Sequence, residues 1–338
     1  MRRRTFWTFV GPSVFLMVLF IALPLVSVLW QSFVLSIPVV ETVEVETCTP
    51  GFPSQVCVTA NKSQAVLDEN GKPVRITSFV GLDLYKSVVE PGVFWQAVTS
   101  GDFAALLRVD FWRALRFTLT FTFITLPFVL GIGLLIALTV NNSAARLRGP
   151  VIFVSLLPYI ITPVIGGISI YWLFVGDGIV TRMLEGLVGH DISIMTHGWA
   201  VEALMMFYRV WHVAPFAFVI FYAGLQGVNR DTLESAMIDG ASRFERLRYV
   251  IIPHLFPLIV FVTLIHLMDS YRVFEEIVAF NAQSQRISLQ WLTYDFLQPD
   301  DSGNRAIGRA SASSMLTMIG IVVIILPVLR RAWRDHRR

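Results

Sequence analysis

Six stretches of this chain run for twenty or more residues without Asp, Glu, Lys or Arg: 5–40, 117–145, 149–176, 210–229, 249–268 and 310–329. About 20 apolar residues of helix cross a hydrocarbon core of about 30 Å, and lipid offers the backbone no hydrogen-bond partners. Each stretch therefore holds one span, and each span has to be helical. The expected fold is all-α and membrane-integral, with six transmembrane helices. Composition agrees, because 55% of the 338 residues are hydrophobic and only 15% are charged, too little polar surface to cover soluble domains of this length.

The spans are expected at about Phe6–Trp30, Phe111–Val140, Val151–Val175, Val201–Leu225, Ile251–Ser270 and Ala312–Leu329. Pro127, Pro158, Pro163, Pro215 and Pro327 fall inside them and read as kinks, which neighbouring groups can re-satisfy within a membrane. The first apolar run is too long for the core of a secretory signal and lacks a small-x-small cleavage site, so it reads as a retained anchor. The chain then divides into a tip and first span (1–34), a polar insertion (35–110), a five-span core (111–330) with a prominent loop at 229–253, and a tail (331–338). No internal repeat or low-complexity tract is visible.

The net charge of +3 matters less than its placement. Arg2, Arg3, Arg4, Arg146, Arg148, Arg230, Arg243, Arg246, Arg248, Arg330, Arg331, Arg334, Arg337 and Arg338 all lie in short segments on one side of the six spans. These are 14 of the 27 basic residues. The positive-inside rule puts that side, with both termini, in the cytoplasm. Anionic lipid headgroups account for the terminal arginines, and no nucleic-acid-binding pattern appears.

The insertion is then extracytoplasmic. Val39–Glu46 alternates like a strand, and Asn70-Gly71-Lys72-Pro73 is a turn signal. Cys48 and Cys57 are separated by a segment containing Pro50, Gly51 and Pro53. In an oxidising compartment this spacing suits a disulfide closing a short loop; two free thiols are the alternative, and two cysteines without other ligands make a poor metal site.

The 229–253 loop carries the most specific pattern. Asp231 with Glu234, and Ser242 with Glu245, are possible capping boxes, each able to start a short helix. Gly240 lies between them, where a residue tolerating positive φ can end one helix and turn the chain into the next. The expected result is a helix-turn-helix elbow leading through Tyr249 and Pro253 into the fifth span. A bland amphipathic interfacial loop is the alternative on physical grounds.

Glu234-Ser235-Ala236, three residues, Gly240, nine residues and Val250-Ile251-Ile252-Pro253 resemble the E-A-A-x3-G-x9-I-x-L-P signature of ABC-importer permease subunits. With Ile238-Asp239-Gly240-Ala241 and Ala223-Gly224-Leu225-Gln226, the segment resembles the carbohydrate branch of that family, which includes the maltose and glycerol-3-phosphate permeases. Phe79–Tyr85 resembles the family's F-x-G-L-x-N-Y stretch, and Phe111-Trp112-Arg113-Ala114-Leu115 with Thr118 its entry to the second span. The chain departs from the pattern at Ser235, at Leu84 and Phe117 in place of two Asn, and at Asn281-Ala282-Gln283 in place of a Gly-Gly-Pro turn.

The resemblance implies the six-span type I importer fold in a bacterial inner membrane, with the elbow docked in a groove of an ATPase subunit. Glu234, Ser235, Ala236, Asp239, Gly240, Ala241, Arg243 and Pro253 are the implied coupling residues. The implied partners are a second permease subunit, related but different, a dimer of nucleotide-binding subunits and an extracytoplasmic solute-binding protein. No Walker phosphate loop occurs here, so the expectation is no cofactor on this chain and ATP with Mg on the partner.

Within the spans, Glu202, Tyr208, Arg209, Trp211, His212, His266 and Asp269 are the candidate solute-path residues. A charge near the bilayer centre costs about 3 kcal/mol or more unless it faces a cavity or a partner, which makes Arg209 the most informative. Polar groups beside aromatic rings suit a hydroxyl-rich solute. Alternatively Arg209 pairs with Glu202 or Asp269 and locks helices together. No metal site and no catalytic constellation is expected, so the chain reads as a transport subunit for a sugar, polyol or related solute rather than an enzyme. A polyamine or metal-ion importer subunit, or an ATP-independent secondary transporter, are the rival readings; the elbow and the lack of an inverted repeat weigh against the last.

Overall fold

A computed structural model describes residues 3–49, 56–69, 71, 74–190, 194–300 and 303–336. In chain order it contains α1 (Arg3–Met17), α2 (Leu23–Gln31), β1 (Val34–Pro38), β2 (Val40–Thr49), β3 (Val56–Ala65) and β4 (Arg75–Phe79). There follow α3 (Asp83–Val89), α4 (Pro91–Ser100), α5 (Phe103–Leu106), α6 (Asp110–Asn141), α7 (Ala145–Ile160), α8 (Pro163–Phe174), α9 (Ile179–Val188) and α10 (Gly198–Leu225). The chain ends with α11 (Arg230–Ile238), α12 (Arg243–Arg246), α13 (Ile252–Tyr271), α14 (Glu275–Ala279), α15 (Leu289–Asp295) and α16 (Ile307–His336). Among the described residues, six helical segments are long and apolar enough to cross a membrane: Phe6–Gln31, Asp110–Asn141, Pro163–Val188, Gly198–Leu225, Arg243–Tyr271 and Ile307–Arg334.

Five of these contain the spans expected from the charge-free gaps. The third differs. Instead of one helix over Val151–Val175, α7 stops at Ile160, and Ile161 and Thr162 are extended, with ψ of 134° and 140°. Pro163 is the physical reason: its ring disfavours helical backbone at the residue before it and itself suits the first turn of a new helix. Pro158, by contrast, lies within α7.

The chain forms two compact units. The first comprises Met1–Phe111 and Leu292–Thr317. It holds two antiparallel strand pairs, β1 with β4 and β2 with β3. The alternating segment near Val39–Glu46 is thus a strand, and the β2–β3 register sets Cys48 directly opposite Cys57. The side chains of those cysteines lie outside the described part. Gly71 has φ of +73° and its NH donates to the Asp68 carbonyl, whereas Asn70, Lys72 and Pro73 are outside the described residues. Ser32 and Tyr85 share a 2.7 Å hydrogen bond between the end of α2 and α3.

The second unit comprises Trp112–Trp291 and Met318–Arg338. Its centre is α10, which carries Glu202, Tyr208, Arg209 and His212 among its buried residues. One apolar cluster gathers Met205 and Tyr208 with Phe117, Phe121, Ile277 and Phe280. A second gathers Ala217, Phe218 and Phe221 with Val129, Ala137, Leu255 and Val262. Small residues set the spacing of the site: a Cβ on Gly167 of α8 would stand 2.6 Å from that of Ala279 in α14, so only glycine lets these two helices approach so closely.

Candidate functional site: an elbow and a polar cavity

The 229–253 segment folds as an elbow. The first helix, α11, begins two residues earlier than the Asp231 cap would require: Asn229 is the cap, its side chain accepting from the Asp231 NH at 2.8 Å, and Asp231 sits in the first turn. The expected Asp231–Glu234 capping box is therefore replaced. Asn can cap as well as Asp, and starting earlier leaves the acid beside the positive end of the helix. The helix ends where Gly240 takes φ of +81°. There the Ala241 NH donates to the Ala236 carbonyl at 2.9 Å and the Gly240 NH to that of Met237 at 3.1 Å, the paired bonds of a Schellman motif.

The second box is present. Glu245 NH donates to Ser242 Oγ at 3.3 Å, and Ser242 NH to Glu245 Oε2 at 2.7 Å. Hydrogen bonding to the Ser242 side chain, and then to its backbone NH, holds the Glu245 carboxyl below the usual glutamate range. From there α12 passes through a π-helical turn, Leu247–Ile251, straight into α13, with Pro253 in its first turn, where it displaces no hydrogen bond. The elbow is thus continuous with a long apolar helix. Glu234, Ser235, Asp239, Gly240, Arg243 and Pro253 are exposed, while Ala236 and Ala241 are half-buried. Ile238, 86% exposed, places bare apolar surface at the bend. Gln226 Nε2 donates to Asn141 Oδ1 at 3.0 Å, tying the approach to the elbow to the end of α6.

A cavity of about 400 Å³ lies at the break between α7 and α8. Its wall includes Tyr159, Ile161, Thr162 and Pro163 from the break, Arg209, His212 and Phe216 from α10, Ile265, His266 and Asp269 from α13, and Glu275 from α14. The break frees carbonyls that a continuous helix would use, and α10 satisfies that of Ile161. His212 Nε2 donates to the Ile161 carbonyl at 2.9 Å, and the Tyr208 hydroxyl to that of Pro163 at 2.6 Å. Irregular backbone inside a membrane is tolerated where it is satisfied in this way or lines a polar cavity, and here it does both.

Arg209 is 4% exposed. Its Nη1 donates to Glu276 Oε1 at 2.9 Å, its Nη2 to Asp269 Oδ2, and its Nε has no partner. Of the two expected partners, Asp269 is found and Glu202 is not. Glu202 instead accepts from Arg286 Nε at 2.6 Å, with Arg116 Nη2 at 3.6 Å. Glu202 and Arg209 are seven residues apart, about two turns along α10, yet the acids that reach the guanidinium come from α13 and α14. His266 lies between Thr125 Oγ1 and Ser270 Oγ, each 3.0 Å from Nε2.

The candidate path residues therefore separate. Arg209, His212, His266 and Asp269 share the polar cavity. Tyr208 is buried in the core with its hydroxyl engaged, Glu202 is buried in its own ion pair, and Trp211 lines a different, apolar cavity of about 570 Å³ between α6, α7 and α10. That larger cavity offers hydroxyls only from Thr125 and Ser155, so a hydroxyl-rich solute would leave most of its hydrogen bonds unmade there. Glu275, Glu276 and Arg286 escaped the sequence reading because they lie in a segment without a span pattern. A signal existed: a cation inside a span requires an acid, and Glu275 and Glu276 are the first acids after Asp269.

Six membrane-length helices, a polar cavity at a broken helix and an exposed elbow joined to a long apolar helix define a multi-pass membrane transport subunit. Residues 97–333 match the family of binding-protein-dependent transport system inner membrane components, and the chain belongs to that family. It is 27% identical over 253 residues to a probable ABC transporter permease protein of Sinorhizobium fredii, covering 71% of this chain and 80% of that one. It is 29% identical over 250 residues to the trehalose transport system permease protein of Mycobacterium tuberculosis, covering 74% and 73%. Among solved structures, a chain of a bacterial ABC transporter involved in the import of the acidic polysaccharide alginate has the same fold, with a TM-score of 0.71 over 98% of this chain and 96% of that one at 18% identity.

Proposed function

We propose that this chain is a permease subunit of an ATP-driven ABC importer for a sugar or related hydroxyl-rich solute, and that the solute passes the cavity at the α7/α8 break. The observation that carries the reading is the elbow. A short helix closed by a Schellman turn and re-started by a capping box is rigid, exposed at its bend and continuous with α13. A push on such an elbow is delivered to the helix that carries His266 and Asp269 into the cavity wall. ATP and Mg sit on a separate ATPase pair, whose closure moves the elbow and rocks the helices around the cavity in alternating access.

In this reading Glu234, Ser235, Ala236 and Gly240 contact the ATPase subunit, which lies in the cytoplasm with both chain termini. The strand-bearing insertion faces the other side, where Cys48 and Cys57, opposite each other in register, are joined as a disulfide. A second permease subunit and an extracytoplasmic solute-binding protein complete the machine. The sugar assignment draws support from the trehalose permease of M. tuberculosis and from the cavity's mixture of hydrogen-bonding groups with the rings of Tyr159 and Phe216, which stack with centroids 5.9 Å apart. Purification of the tagged chain from its native membrane, followed by mass spectrometry, should recover an ATPase subunit and a second permease. Recovery of the chain alone from mild detergent, with no ATPase at any yield, would defeat the reading.

A further inference from the structure

The cavity at the α7/α8 break holds more acid than base. Arg209, Asp269 and Glu275 line it, and Glu276 stands behind the wall bound to Arg209. One guanidinium therefore faces three carboxylates. Both terminal nitrogens of Arg209 are engaged by Asp269 and Glu276, so its charge is compensated within the protein. Asp269 and Glu275 are exposed, and 64% of the Asp269 side-chain surface remains open.

The histidines do not reverse the balance. His212 donates to a backbone carbonyl, and His266 lies between two hydroxyls, so both bond to uncharged partners. Burial, and then the adjacent Glu276, push the Glu275 carboxyl up. Even with Glu275 protonated, one cation would face two anions. Val213, Phe216, Val262 and Ile265 complete the wall with apolar surface of low dielectric, which concentrates the field in the cavity. The Nε of Arg209 has no partner and is buried. With both terminal nitrogens committed to carboxylates and Nε buried, Arg209 offers an entering carboxylate or phosphate no open two-pronged clamp.

We propose that the cavity is a charge filter, admitting neutral or cationic hydroxyl-rich solutes and rejecting anionic ones such as uronates and sugar phosphates. An entering anion would meet like charge and find no free cation, whereas hydroxyls can donate to Asp269 and Glu275. The inference rests on the reading of this cavity as the solute path.

The test measures the field directly. In membranes containing the complete transporter, Ile265→Cys places a thiol on the cavity wall at a position 39% exposed. Its labelling rates with a trimethylammonium and a sulfonate methanethiosulfonate are compared with those of 2-mercaptoethanol in the same buffer, with the unsubstituted transporter as the blank. A net negative charge within about 10 Å should raise the cation-over-anion ratio at least about fivefold above that of the free thiol. Glu275→Lys, at an exposed position, should lower it again by threefold or more. A ratio at or below that of 2-mercaptoethanol would overturn the filter while leaving the path reading intact. Slowing of the labelling by a neutral disaccharide checks the path separately. A high ratio with no protection by any neutral sugar would overturn the path reading, and the filter with it.

Discussion

Replacement of Glu276 by Gln should destabilise the protein strongly. Glu276 is 2% exposed and accepts from Arg209, itself 4% exposed, at 2.9 Å. Gln keeps the size and removes the charge, leaving a buried guanidinium with Asp269 as its one remaining anion. Removing one partner of a buried pair costs about 3–5 kcal/mol. Because Asp269 still compensates part of the charge, the lower end, about 3 kcal/mol, applies. For a chain of this size that lowers the apparent Tm by roughly 6 °C, at about 2 °C per kcal/mol.

The assay is thermal unfolding of the purified complex in detergent, followed across a double-mutant cycle. Arg209→Met alone leaves Glu276 buried without a counter-charge and should be comparably damaging. Arg209→Met with Glu276→Gln removes both charges and should recover half or more of the loss. Arg209→Met with Glu202→Gln should recover nothing, because Glu202 is held by Arg286 at 2.6 Å. Recovery through Glu202→Gln but not through Glu276→Gln would refute this account of the ion pairs.

Three further outcomes follow from the same geometry. Gly240→Val forces a β-branched residue into φ of +81°, costs about 1–2 kcal/mol locally, and should abolish solute-stimulated ATP hydrolysis while membrane insertion stays normal; undiminished stimulation would remove the elbow from the coupling route. His212→Phe strips the Ile161 carbonyl of its donor, and a buried unsatisfied carbonyl costs about 1–3 kcal/mol, so a lower Tm is expected, whereas an unchanged Tm would mean that the break needs no support from α10. The Ser242 bonds depress the Glu245 carboxyl, so the cap's contribution is full above the ordinary glutamate range and disappears as pH falls through the depressed value; hydrogen exchange at residues 242–246, corrected for intrinsic rates, should accelerate in acid in the unsubstituted chain and not in Glu245→Gln.

Local rules account for most of what could be read without coordinates. Charge-free gaps located five of the six spans because lipid penalises charge along a helix, and Gly240 and the Ser242–Glu245 pair are turn and cap signals that act within a few residues. The features that escaped depend on distant partners. Thr162-Pro163 is written in the chain, but whether a proline kinks a membrane helix or ends it depends on a donor for the released carbonyl, and that donor, His212, lies 51 residues away from Ile161. Of the partners of Arg209, Asp269 is legible in the sequence and Glu276 is not: periodicity recognises a shared helix face, whereas Glu276 reaches Arg209 from a separate short helix 67 residues on. At the first cap, Asn229 and Asp231 were both competent, and local pattern alone does not choose between them.

The central claim is that solute moves through this chain on energy delivered through the elbow by another subunit. Its most direct test is uptake of a labelled neutral sugar into proteoliposomes containing the chain together with its co-purified partners and the binding protein. Accumulation is predicted to require internal ATP, to stop when ATP is replaced by a non-hydrolysable analogue, and to be absent from vesicles made with this chain alone. Sugar accumulation by the chain alone, driven by an ion gradient without ATP, would contradict the account.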